Sequence, residues 1–140
     1  MTKEKLKLSP NHANTRFARC SENLAAHYLT QNGWHILARN YRRRSGEIDI
    51  IASKNDSFST VIAFIEVKSR RTPSKLPPQC AVTKRKQSKI IHAALAWISK
   101  QGALRAIYRF DIATITKTRN DVPRIQYFPM AFCPRQEFGW

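Results

Sequence analysis

The chain has 140 residues, with 25 Lys and Arg against 9 Asp and Glu, a formal charge of +16 at pH 7. That length suits one domain able to bury a core without disulfide staples, and 42% hydrophobic residues exclude a disordered basic tail. So large a positive excess directs attention to polyanionic partners, nucleic acid first. Residues 1–13 are polar and lysine-bearing, so they read as a basic arm and not as a secretory signal. Residues 14–133 then form a single domain and residues 134–140 a C-terminal tail.

From about Asn14 to Gln31 the chain reads as a helix, with Phe17, Cys20, Ser21, Leu24, Ala25 and Tyr28 at helical spacing. Asn14 or Thr15 is its candidate cap, and Asn32-Gly33 ends it. Trp34–Tyr41 reads as a strand, Arg42–Gly46 as a basic turn, and Glu47–Ala52 as a strand alternating acid and isoleucine. After turn residues Lys54–Ser57 comes Thr60–Lys68, the most apolar run, suited to a central strand covered on both faces. Ser69–Gln79 reads as an exposed loop. Val82–Gln101 is helical again, with Val82, Lys86, Ile90, Ala93, Ala94, Trp97 and Ile98 on one face and Gly102 closing it. Arg105–Thr118 reads as a strand with Ile107, Phe110, Ile112 and Ile115 as apolar positions, and Arg124–Phe128 as a last short strand. The order α-β-β-β-α-β predicts an α/β (α+β) domain with a mixed central sheet flanked by helices.

Cys20, Cys80 and Cys133 are odd in number and far apart, which argues against a disulfide framework and for a reducing, cytoplasmic setting. His12, His27, His35 and His92 are too dispersed for a zinc site. No stretch approaches the roughly 20 apolar residues of a membrane span.

The scarce acids are the sharper signal. Residues two apart on a strand share a face, so Glu66 and Lys68 point one way, as do Glu47 and Asp49. A carboxylate on a central strand needs a compensating cation. If the two strands pair, Asp49 and Glu66 converge, with Lys68 one pleat along. Two convergent carboxylates suit Mg²⁺ or Mn²⁺, completed by substrate phosphate. Such an ion polarises a phosphodiester and lowers the pKa of a bound water, and Lys68 is placed to hold that water or to offset charge building on phosphorus. The structural alternative is a cross-strand salt bridge. Glu22 lies at the edge of the first helix's apolar stripe, where a solvated helix glutamate is the alternative. Glu47 is a secondary candidate, equally suited to pairing with Arg42 to Arg44, and Asp111 reads as the partner of a basic neighbour.

The segments Gly46-Glu-Ile-Asp-Ile-Ile-Ala52 and Ala63-Phe-Ile-Glu-Val-Lys-Ser-Arg70 resemble the signature of the bacterial YraN-type proteins. That family is predicted to be endonuclease-like, within the PD-(D/E)XK nuclease superfamily, and is similar in layout to archaeal Holliday junction resolvases. The resemblance runs from about Arg16 to Phe132. It takes in Glu22 ahead of Gly33-Trp34, Ala81–Lys86 with Ala94–Ile98, Arg109–Ala113, and Ala131-Phe132. It implies a restriction-endonuclease-like fold, a metal set of Asp49, Glu66, Val67 and Glu22, and catalytic roles for Asp49, Glu66, Lys68 and Glu22. The superfamily's proline before the aspartate is absent, Ile48 standing there.

Twelve of the 25 basic residues flank these motifs. Arg39, Arg42, Arg43 and Arg44 precede the first. Lys68, Arg70, Arg71 and Lys75 follow the second, and Lys84, Arg85, Lys86 and Lys89 open the second helix. Cations at a helix N-terminus oppose its dipole, a penalty that an arriving phosphate reverses. No zinc finger or RNA-binding aromatic motif is present, so backbone contacts and shape would dominate recognition. The leading expectation is a Mg²⁺- or Mn²⁺-dependent endonuclease hydrolysing DNA, selective for branched or flapped forms. The alternatives are a non-catalytic DNA- or RNA-binding protein on a nuclease fold and, third, a ribosome-associated protein. By analogy with resolvases, a homodimer is the expected assembly.

Overall fold

α1 spans Pro10–Gln31 and β1 His35–Arg43; the computed structural model describes residues 10–102, 105–120 and 122–134. The helix starts four residues ahead of Asn14. Proline is tolerated in a helix's first turn, where its missing N–H is not needed, so the expected caps at Asn14 and Thr15 are instead helical positions. The end is as expected. Trp34 N donates to Leu29 O at 3.0 Å and Gly33 N to Thr30 O at 3.2 Å, with Gly33 at φ +83, a Schellman closure. The buried face differs from the expected stripe. Cys20 and Leu24 are exposed, while Ser21, Ala25, Ala26 and Leu29 are buried. These mostly small residues let the helix lie close on the sheet.

β2 spans Gly46–Asn55, β3 Thr60–Arg70, α2 Lys84–Gln101, β4 Ile107–Thr116 and β5 Arg124–Phe132. A 3-10 turn, Pro78–Ala81, follows the exposed loop. The five strands form one sheet in the order β1-β2-β3-β4-β5, antiparallel except for the parallel pair β3/β4. A parallel pair needs a crossover, and α2 supplies it. Thr83 caps α2, its Oγ1 accepting the Lys86 N–H at 3.2 Å. Ile107, expected among the apolar positions of β4, is exposed at its open start. β5 runs four residues past the expected Phe128, because an edge strand tolerates Pro129.

Each face of the sheet carries its own core. Ile48, Ile51, Ile62, Phe64, Phe110 and Ile112 pack with Ile90, Ala94 and Trp97 of α2. Ile50, Ala52, Ala63, Ile65, Ala113 and Ile115 pack with Ala25 and Leu29 of α1. β3 is buried from Ile62 to Glu66, as its apolar run requires. The result is a mixed α+β domain of order α-β-β-β-α-β-β, consistent with a restriction-endonuclease-like core. Among the described residues no helix is long and apolar enough to cross a membrane. Residues 1–9 of the expected arm and 135–140 of the expected tail lie outside the described residues.

Candidate functional site

The ladder between β2 and β3 runs from Asn55↔Thr60 to Ile50↔Ile65 and stops there. One step beyond, the Val67 N–H donates to Asp49 Oδ2 at 2.8 Å, so a side-chain carboxylate takes a strand amide. The alternation of β2 breaks at this point. Ile48 and Ile51, three apart, lie in the same core cluster, so the face shared by Glu47 and Asp49 cannot be read on to Ile51 by strict period two. Across from Asp49, between the pairs Arg39↔Ile50 and Tyr41↔Ile48, Asn40 adopts the left-handed conformation at φ +51. Its side chain lies near enough to Glu22 of α1 to lower that carboxyl's pKa. Asparagine is among the few residues that enter this region readily.

Glu66 is 4% exposed. Its Oε1 lies 3.5 Å from Lys68 Nζ and 3.8 Å from Lys86 Nζ, while Oε2 is buried with no hydrogen-bond partner among the described residues. Burial first, and then the neighbouring Glu66 carboxylate, push Asp49 up to about 7; the Val67 N–H and the Lys86 ammonium oppose the shift. The nearby Glu66 carboxylate therefore favours a proton held on Asp49. Glu22 is raised by burial and by Asp49, and lowered by Asn40 and Arg39. Electrostatics thus link Glu22 to Asp49 and Asp49 to Glu66.

The donor set suits a hard divalent cation. Asp49 and Glu66 offer oxygen atoms, Glu66 Oε2 has a free acceptor site among the described residues, and a metal ion could take the place of the proton on Asp49. Val67 orients Asp49 through its N–H; only its carbonyl oxygen has the chemistry to ligate. Among the described residues no three His, Cys, Asp or Glu side chains are grouped to hold a metal. Asp49 and Glu66 are the two carboxylates that could hold such an ion, with waters completing its shell.

The basic residues divide. Lys86, expected to meet phosphate, is committed to acids, 3.6 Å from Glu47 and 3.8 Å from Glu66. Glu47 also pairs with Arg42 at 3.4 Å, which is the structural reading of that residue. Arg43 donates to the Tyr41 hydroxyl at 2.8 Å, and Arg71 lies over the Phe17 ring. Arg44, Lys84, Arg85 and Lys89 are exposed and Arg70 is half-buried. Sequence reasoning missed Asn40, whose signal was an asparagine between Arg39 and Tyr41 in a strand. It also missed Gly46, where a Cβ would stand 2.3 Å from the Lys89 carbonyl oxygen. That contact seats α2 against β2 and fixes where Lys86 reaches. Asp111 is fully buried and accepts from Arg109 Nε at 3.0 Å, from Met130 N at 3.0 Å and from the Tyr127 hydroxyl. It is the basic neighbour's partner that its pattern suggested.

The family model described as uncharacterised protein family UPF0102 matches residues 21–115. The chain is similar to a UPF0102 protein of Trichlorobacter lovleyi, 44% identical over 111 residues, covering 79% of this chain and 85% of that one. It is likewise similar to a UPF0102 protein of Geobacter sulfurreducens, 42% identical over 122 residues, covering 87% and 92%. A third relative, from Geobacter metallireducens, is 45% identical over 111 residues, covering 79% and 87%.

Proposed function

The chain belongs to the uncharacterised protein family UPF0102, and from that premise and the Asp49–Glu66 geometry we propose that it is a metal-dependent endonuclease. It hydrolyses DNA phosphodiester bonds with Mg²⁺ or Mn²⁺ and selects branched or flapped forms. The observation that carries this reading is the buried Glu66 carboxylate. It has one oxygen unpartnered and the other 3.5 Å from Lys68 Nζ, beside a second acid that burial pushes toward protonation. Asp49 and Glu66 would hold the ion, whose chemistry there would be to activate a water and to polarise the phosphodiester. Lys68 offsets charge at phosphorus, and Glu22 tunes Asp49. The likeness of the two strand motifs to YraN-type proteins of the PD-(D/E)XK superfamily supports the same roles. The +16 charge supports a polyanionic substrate.

The test is an assay on linear, flapped and four-way DNA with Mg²⁺, with Mn²⁺ and with neither. Metal-dependent cleavage is expected from the wild type, lost in Asp49→Asn and Lys68→Ala while DNA binding survives. Equal cleavage by all three proteins would sink the proposal.

One observation favours a second reading, a non-catalytic nucleic-acid-binding protein. Lys68 and Lys86 both approach Glu66 and neutralise the acid pair without a metal. Calorimetry separates the two, since Mn²⁺ binding lost in Glu66→Gln belongs only to the first.

A further inference from the structure

Past Glu66 the α2-side face of the sheet stops being apolar. On β3, Ile62 and Phe64 belong to the core and Glu66, Lys68 and Arg70 follow on the same face. On β4, Phe110 and Ile112 give way to Thr114 and Thr116; on β5, Phe128 gives way to Gln126 and Arg124. The strand pairings set these residues side by side. Lys68 pairs with Thr114 and Thr114 with Gln126; Arg70 pairs with Thr116 and Thr116 with Arg124. Two polar rows therefore cross three strands, over about 10 Å, starting beside the carboxylate pair. The opposite face at the same level stays apolar, with Ala113 and Ile115 buried.

Strands in the middle of a sheet covered on both faces read apolar, yet Thr114 is buried and polar. Above the rows lies a cavity of about 580 Å³, walled by Pro73, Ser74 and Leu76 of the loop after β3. Its charged lining residues are Arg70 and Arg124, and among the described residues no carboxylate lines it. Cations and hydroxyl donors with no acid partner among the described residues suit phosphate oxygens.

We propose that this groove binds the sugar–phosphate backbone of a nucleic-acid strand and leads it to the Asp49–Glu66 site, with Arg70 and Arg124 each meeting a phosphate and Thr114 and Thr116 donating between them. The inference rests on the nucleic-acid reading given above and adds a binding track on β4 and β5, far in sequence from the acid motifs.

The experiment measures binding of a fluorescein-labelled duplex and of a flapped DNA by anisotropy, in EDTA, over a series of salt concentrations. Each phosphate contact removed makes the logarithmic salt slope shallower by about one. Arg70→Ala/Arg124→Ala is expected to weaken binding on the order of tenfold at ~0.1 M salt and to lower the slope by about two. The comparison is Lys100→Ala/Arg105→Ala, which removes the same charge at the other end of α2 and is expected to leave the slope unchanged. Equal effects of the two double variants would overturn the groove. Cleavage is read separately with the Asp49→Asn control. A groove effect without metal-dependent cleavage would defeat the nuclease reading alone, and cleavage without a groove effect would defeat the groove alone.

Discussion

The Asp49 carboxylate accepts the Val67 N–H at 2.8 Å where the β2/β3 ladder ends, and it does so beside Glu66. Burial and the second carboxylate push Asp49 from the ordinary aspartate range up to about 7. An acid with a folded pKa above its unfolded one binds its proton more tightly when folded. Its contribution is fully present below the unfolded pKa and is lost as pH rises toward 7. The metal-free protein should therefore lose up to a few kcal/mol of stability between about pH 4 and pH 7. Asp49→Asn should flatten that profile, and so should Mn²⁺, whose charge replaces the proton. Urea denaturation across this range, in EDTA and in Mn²⁺, checks both; a wild-type stability that rises through this window in EDTA contradicts the account.

Gly46 seats α2. A Cβ there would meet the Lys89 carbonyl oxygen at 2.3 Å and its carbon at 2.7 Å, backbone atoms that cannot swing aside. Gly33, at φ +83, faces only the flexible end of the Lys54 side chain at 3.6 Å. Gly46→Ala should cost about 2–4 kcal/mol through overpacking and displacement of α2. Gly33→Ala should cost about 1 kcal/mol, the strain of a left-handed alanine. Denaturation midpoints of the two variants decide it, and the reverse ranking would remove α2 seating as the role of Gly46.

Most of this architecture is legible in the sequence, for reasons that also mark where legibility ends. The acid–isoleucine alternation of β2, the apolar run of β3 and the Ile90–Ala94–Trp97 stripe of α2 are local patterns, set by which face each residue must bury. The first helix misleads because Leu24 draws the expected stripe toward itself, while the sheet selects the smaller Ser21, Ala25 and Leu29 face. The broken alternation between Ile48 and Ile51, the left-handed Asn40 and the approach of Gly46 to Lys89 are consequences of distant partners. In the candidate site, Asp49, Glu66 and Lys68 are marked by charge in an apolar setting. Lys86 reads as one more cation of a basic helix start, since its acidic partners lie 20 and 39 positions away.

Asp111 ties the end of the sheet together. Its three donors come from β4 and β5, and Met130 holds the left-handed conformation at φ +52 while donating to Oδ1. Arg109 also lies over the Trp34 ring, 5.1 Å from its centroid. Asp111→Ala strands a half-buried guanidinium, a hydroxyl and an amide, and should cost about 2–4 kcal/mol. Tyr127→Phe removes one hydrogen bond to a charge and should cost about 1.5–3 kcal/mol. The double variant should cost well below the sum, because Asp111→Ala already deprives Tyr127 of its partner. Urea denaturation of the full cycle measures the coupling; strict additivity would mean the two groups act independently.

Lys86 and a metal ion would compete for the same carboxylates. Its Nζ lies 3.8 Å from Glu66 Oε1, and its charge lowers the Asp49 pKa. Lys86→Met keeps most of the packing volume and removes the ammonium. Without that cation the acid pair is less compensated, so metal-free stability above pH 7 should fall by about 1–2 kcal/mol. The same loss should strengthen Mn²⁺ binding, by about tenfold if the removed repulsion is worth ~1.4 kcal/mol at an effective dielectric near that of a protein surface. Isothermal titration with Mn²⁺ at pH 7.5 compares the two proteins. Weaker Mn²⁺ binding in Lys86→Met would instead mean that the lysine positions Glu66 for the ion, making it a support of the metal site and not its competitor.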